Sequence, residues 1–202
     1  MRSAVAMLAQ SSAWHGHRDM LHDRERNSAY DRAISAAVRD ISSSNRTAVD
    51  VGTGSGLLAM FAARAGASVT AFETVPALAH LARDVVRENG LADAIAVTGA
   101  HSTEAPPPAK RAQLLVHELL DTGLVGEGLL AGVRHAHEAL LADGAVSVPA
   151  ALELIAQPIS SAFLAASARL GDGIASVLLP PMSVRECAGA PGYAELLSLI
   201  HI

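Results

Sequence analysis

Three glycines at alternate positions, Gly52, Gly54 and Gly56, follow the apolar run Ala48-Val49-Asp50-Val51. With no side chains there, a ligand can lie directly against the backbone. Glu73 stands about 20 residues beyond the first glycine, the separation at which an acid accepts ribose hydroxyls in nucleoside-binding α/β sheets. A second set of acids, Glu118 and Glu127, brackets the segment LLDTGLVG. Carboxylates in a loop are usually only solvated. Two of them at the ligand end of a strand, however, suit a guanidinium, whose delocalised charge is best held by bidentate, charge-assisted hydrogen bonds. A nucleoside-type cofactor and a guanidinium substrate are therefore the chemistry these residues can serve.

The elements that must position them are legible in the pattern. Leu21, Ala29, Ile34, Ala37, Val38 and Ile41 recur at helical spacing between Met20 and Ile41, which predicts a pair of amphipathic helices, with Ser42 to Arg46 as a turn. Ala48 to Val51, the glycine turn and Leu57 to Ala63 read as strand, loop and helix. A second unit follows: strand Ser68 to Phe72, Pro76 in a first helical turn, and a helix from Ala77 to Asn89-Gly90. Consecutive βα units imply a parallel sheet. Ile95 to Thr98 and Leu114 to His117 are further strands, separated by Pro106-Pro107-Pro108. A last helix from about Gly128 to Leu141 precedes Gly144 and a strand at Ala145 to Val148, and the α/β domain closes near Pro149. Ala151 to Gln157 is expected to begin something else.

Composition narrows the function classes. The 202 residues are 50% hydrophobic and 17% charged, with a net charge of −5, which argues against disorder and against a basic nucleic-acid-binding surface. Apolar runs are broken before the ~20 residues a spanning helix needs, so no membrane partner is expected. One cysteine, Cys187, forbids an internal disulfide and fits a reducing compartment, the cytosol with the nucleus also open. Cys187 has no nucleophile motif around it. His15, His17, His22, His135 and His137 lack the spacing of zinc ligands and are expected to be surface or capping residues, with no metal bound. Leu57 stands where the dinucleotide fingerprint would place its third glycine, which disfavours a nicotinamide cofactor. Glycines in a tight strand-to-helix turn also occur without any ligand, and Glu73 is what tells against that reading. His101, Ser102 and Thr103, after the third strand, are candidates to meet a purine edge.

In order along the chain stand Met20-Leu21-His22-Asp23, Arg26-Asn27, Tyr30, VDVGTGSG, Ala71-Phe72-Glu73, His101-Ser102-Thr103-Glu104 and the double-glutamate loop. This series resembles the protein arginine methyltransferases over about Met20 to Gln157, and GTGSGLL, ELLDTGLVGEG and HAH most resemble a monomethylating branch of that family. The resemblance implies an α/β, Rossmann-like class I methyltransferase domain at residues 47–149, preceded by N-terminal helices of the cofactor site at 1–46. It also implies S-adenosyl-L-methionine as methyl donor, S-adenosyl-L-homocysteine as product, and an arginine-containing protein or peptide as partner. Glu118 and Glu127 then match the glutamates that hold the guanidinium. Arg26 matches the arginine on the cofactor's carboxylate, Gly52 and Gly54 the turn beneath the cofactor, Glu73 the ribose acid, and Ser102 falls in the adenine segment. Met20 matches a methionine that narrows the substrate pocket, and Asp121 an acid that reads basic residues near the target arginine.

Residues 150–196 are expected to be the start of a truncated β-barrel domain, in a protein that pairs two methyltransferase modules at full length. Residues 197–202, Leu197-Ser198-Leu199-Ile200-His201-Ile202, resemble the translation of a sequencing-adapter end and are expected to be non-native. Two other classes stay open. A methyltransferase for a small molecule would keep the glycine loop and Glu73 without needing paired glutamates, and a cofactor-binding fragment without turnover would keep the whole site.

Overall fold

Five parallel strands in the order β3-β2-β1-β4-β5 carry the site: β1 (Thr47–Val51), β2 (Ser68–Phe72), β3 (Ile95–Thr98), β4 (Ala112–His117) and β5 (Leu141–Val148). They belong to a computed structural model that describes residues 12–120, 126–159 and 195–201. Two compact units divide the chain, residues 1–152 with Ile202, and Glu153–His201. The second contains β6 (Glu153–Ile159) and β7 (Glu195–His201), paired antiparallel with Gln157 opposite Leu197. Most of the suspected adapter-derived residues therefore lie in β7.

Successive side chains of a strand point to opposite faces of a sheet, and the core divides accordingly. Ala48, Leu114 and Val116 pack on one face with Tyr30, Ile34 and Val38 of α2 (Arg24–Asp40) and with Leu58, Ala59 and Ala62 of α3 (Leu57–Arg64). Val86 of α4 (Pro76–Glu88) joins them. Val49, Val51 and Leu115 pack on the other, against Ala136 and Leu140. Strands buried on both faces read as continuous apolar runs, as AVDV and LLV do. Full burial of each such Val or Leu is worth roughly 1.5–3 kcal/mol.

The helix pair ahead of the sheet begins earlier than its apolar periodicity indicates. α1 spans Ser12–His22, and Asp23 alone separates it from α2. Asp23 is extended and its carboxylate accepts from the Arg26 backbone N–H at 2.9 Å, a helix N-cap. At the far end of the domain the last helical stretch keeps the span the pattern indicates, but its final turn is wider than an α-helix. α5 (Leu129–His135) passes into one wide π turn at Ala136–Leu140, and β5 starts at Leu141 rather than at Ala145. The cause is a bulge: Ala112 faces Leu141, but Leu114 faces Val146, so the residues around Gly144 are absorbed within the strand. Gly144 has φ +74 and marks that bulge rather than a break.

Candidate active site

β1 pairs with β2 on one side and β4 on the other, so their C-terminal ends open a crevice where the strand order reverses. The glycine loop lies across it. Gly52 and Gly54 have φ of +77 and +57, conformations that strain any other residue. A Cβ on Gly52 would come within 2.7 Å of Leu119 Cδ2, and one on Gly54 would collide with the His17 ring. The Gly52 and Thr53 N–H groups donate to the Phe72 carbonyl at 3.0 and 2.9 Å, which ties the loop to the end of β2.

Glu73 is buried at 6% exposure. Its Oε2 accepts from the Gly54 N–H and its Oε1 from the Val75 N–H, both at 2.8 Å. Each carboxylate oxygen has a second acceptor direction. The same crevice is lined by Gly52, His101, Ser102 and Glu127. Ser102 is 2% exposed and its hydroxyl makes no hydrogen bond, while its carbonyl accepts from His135 Nε2 at 3.0 Å. His101 and Thr103 are exposed and bond to each other at 2.7 Å.

Beyond β4, Glu118 is brought against Arg26 of α2. The Arg26 Nη2 donates to Glu118 Oε2 at 2.8 Å, with side-chain exposures of 16% and 11%. Nη1 donates to Asn27 Oδ1 at 2.8 Å, and the guanidinium carbon sits 5.1 Å from the Tyr30 ring centre, a cation–π arrangement. Tyr30 is buried, and its hydroxyl donates to the His117 carbonyl at 3.3 Å, next to Glu118 in the chain. Burial raises the Glu118 pKa above the ordinary carboxylate range; the Arg26 charge opposes that, and the Glu127 charge adds to it. Met20, half-buried in the last turn of α1, is joined to α2 through its carbonyl, which accepts from Asp23 N–H and Asn27 Nδ2 at 3.2 and 3.1 Å. Asp121 lies outside the described residues.

Several contributors escape a reading of the sequence. His17 is not a surface residue: its Nε2 accepts from the Ser55 N–H at 3.2 Å, and burial, with the Arg26 charge, lowers its pKa. Apolar periodicity gives no signal for it, because its contact with the loop is polar. His135 likewise is engaged, bridging α5 to the segment after β3. His22 does cap, through Nδ1 and the Arg18 carbonyl at 2.8 Å, and His137 is exposed. Asp50, fully buried, accepts from Thr53 Oγ1 at 2.6 Å and has its pKa raised to about 7 by burial. Among the described residues no cluster of His, Cys, Asp or Glu could hold a metal ion.

A parallel sheet of this order, with a glycine loop after β1 and an acid after β2, defines a Rossmann-like nucleoside-binding domain. No protein-family model matches the chain. Protein arginine N-methyltransferase 7 of Danio rerio is 40% identical over 188 residues, 88% of this chain and 28% of the relative. The arginine N(omega)-methyltransferase of Streptomyces achromogenes subsp. streptozoticus is 41% identical over 162 residues, 78% of this chain and 44% of the relative. Among solved structures, the Trypanosoma brucei PRMT1 enzyme–prozyme heterotetrameric complex with AdoHcy superposes with a TM-score of 0.67 at 25% identity, over 75% of this chain and 47% of that one. Arabidopsis thaliana protein arginine methyltransferase 10 gives 0.66 at 27% identity, over 86% and 52%. The chain belongs to the protein arginine N-methyltransferases. It spans less than half the length of either curated relative.

Proposed function

We propose that this chain is the catalytic module of an S-adenosylmethionine-dependent methyltransferase acting on a guanidinium nitrogen of arginine in proteins. The observation that carries the reading is the placement of two glutamates by the glycine loop: Glu118 paired with Arg26 just past the end of β4, and Glu127 in the crevice that Gly52 lines.

The residues present fit the cofactor. Gly52 and Gly54 put no side chain of their own on the loop, where Leu119 and the His17 ring already stand against the backbone, Glu73 keeps acceptor directions for ribose hydroxyls, and the unpartnered Ser102 hydroxyl offers a polar contact to a purine edge. Arg26 uses two N–H groups on Asn27 and Glu118, and its guanidinium carries five, so donors remain for an amino-acid carboxylate. When bound, the cofactor supplies a methyl on a sulfonium, activated without help from the protein. What the protein must add is alignment. Glu118 and Glu127 hold the substrate guanidinium and draw its charge away from the attacking nitrogen, which restores its nucleophilicity. Held by Arg26, Glu73 and the glycine loop, the cofactor would supply the methyl, and the proton given up by the methylated nitrogen would pass to a carboxylate of the Glu118 and Glu127 pair. Met20 limits the room beside that nitrogen, and transfer of one methyl per arginine is part of the proposal.

The Streptomyces relative's name speaks of arginine without a protein, which favours free arginine as a second reading of the acceptor. Mass spectrometry of an Arg-x-Arg peptide and of free arginine after incubation with S-adenosylmethionine decides between them. Monomethylarginine in the peptide is expected; methylation of free arginine alone would select the second reading, and dimethylarginine would contradict the single transfer. Pairing with a second methyltransferase module, substrate reading by Asp121 and cytosolic residence belong to the same proposal.

A further inference from the structure

Asn27 follows Arg26 and has no part in the proposed chemistry, yet its carboxamide is fully engaged. The nitrogen donates to the carbonyls of Met20 and Leu21, each at 3.1 Å, and the oxygen accepts from Arg26 Nη1 at 2.8 Å. Those two carbonyls belong to the last turn of α1, where helical C=O groups have no partner within the helix. Asp23 does the converse for α2, capping the Arg26 N–H. The corner between the helices is therefore capped from both sides, and Asn27 ties it to Arg26. Five residues from that corner, counting back from His22 to His17, the same helix meets the glycine loop, where His17 Nε2 accepts from the Ser55 N–H at 3.2 Å. One helix thus touches the loop through His17 and the Arg26–Glu118 pair through Asn27.

We propose that Asn27 is a positioning residue that couples the seating of α1 on the glycine loop to the orientation of Arg26 and, through Arg26, of Glu118. Its functional consequence rests on the reading above: a cofactor bound on the glycine loop would be coupled through α1, Asn27 and Arg26 to the glutamate that receives the guanidinium.

The coupling is testable without any ligand, by amide hydrogen exchange of residues 12–22. Asn27→Ala should speed exchange there about 5–10-fold, the loss expected for one or two hydrogen bonds. Asn27→Asp, which keeps the acceptor but loses the donor, should do the same and serves if the alanine variant fails to fold. Glu118→Ala, which removes the bond to Arg26 of α2, should also speed exchange, but only while Asn27 is present. No change in the Asn27 variants, or an equal effect of Glu118→Ala with and without Asn27, would overturn the proposal. A separate arm titrates S-adenosylhomocysteine, with the Asn27→Ala chain expected to bind about 5–10-fold more weakly. No binding by the unsubstituted chain, with the exchange results as stated, would contradict the cofactor reading alone and leave the coupling standing.

Discussion

Arg26 Nη2 donates to Glu118 Oε2 at 2.8 Å although 92 positions separate the two residues. The contact joins α2 to the segment leaving β4, and both side chains are largely withdrawn from water. A pair in that setting contributes less than its geometry suggests, because desolvation offsets attraction. Its rupture is the costly event, since it strands a charge.

From that asymmetry, Arg26→Met should cost about 2–4 kcal/mol in urea unfolding at pH 7. Adding Glu118→Gln should recover most of the loss, because no unpaired carboxylate remains. Turnover should stay lost in both. A double variant no more stable than Arg26→Met would show that the pair is not the source of the cost.

Glu127 is exposed at the mouth of the crevice, so its replacement disturbs little packing. Glu127→Gln should bind S-adenosylhomocysteine as the unsubstituted chain does and lose about 100-fold or more in turnover, the scale of removing one preorganised electrostatic group. Calorimetry and a methyl-transfer assay read the two halves.

Tyr30 combines a hydrogen bond to the His117 carbonyl, a cation–π contact and burial in the core. Tyr30→Phe removes only the first and should cost about 1 kcal/mol. Tyr30→Ala removes all three and should cost about 3–5 kcal/mol. Thermal or urea denaturation of both variants gives the ordering.

Asp50 provides a pH signature. Its carboxyl titrates at about 7 in the folded chain against 3.8 ordinarily, chiefly through burial. A raised pKa means the folded state holds its proton more tightly. The stabilisation is full below about pH 4 and is lost as pH rises toward 7. Asp50→Asn cannot ionise, so its stability relative to the unsubstituted chain should rise across that window and level off above it. Denaturation midpoints between pH 4 and 8 test the sign.

What the sequence revealed was what period and spacing can encode. AVDV, the alternating glycines and Glu73 place the nucleoside side of the crevice, because buried strands are continuous apolar runs and a close backbone approach needs glycine. Glu118 and Glu127 stood out as charges at a strand end. The polar couplings did not. His17 lies in a helix whose contact face is made partly of polar atoms, so apolar periodicity does not mark α1 before Met20. The work of Asn27 is to satisfy carbonyls at a helix end, a need that exists only once both helices are in place. Gly144 reads as a stop, and only the pairing with β4 turns it into a bulge.

The claim at the centre is that Glu118 and Glu127 face the reactive end of a nucleoside bound on the glycine loop. A nucleoside tethered at the sulfur position to a guanidinium, compared by calorimetry with the same molecule carrying a neutral urea, tests it directly. The guanidinium compound should bind at least about tenfold more tightly, as a charge-assisted pair requires, and the advantage should vanish in the Glu118→Gln, Glu127→Gln double variant. Equal affinity of the two compounds for the unsubstituted chain would contradict the account.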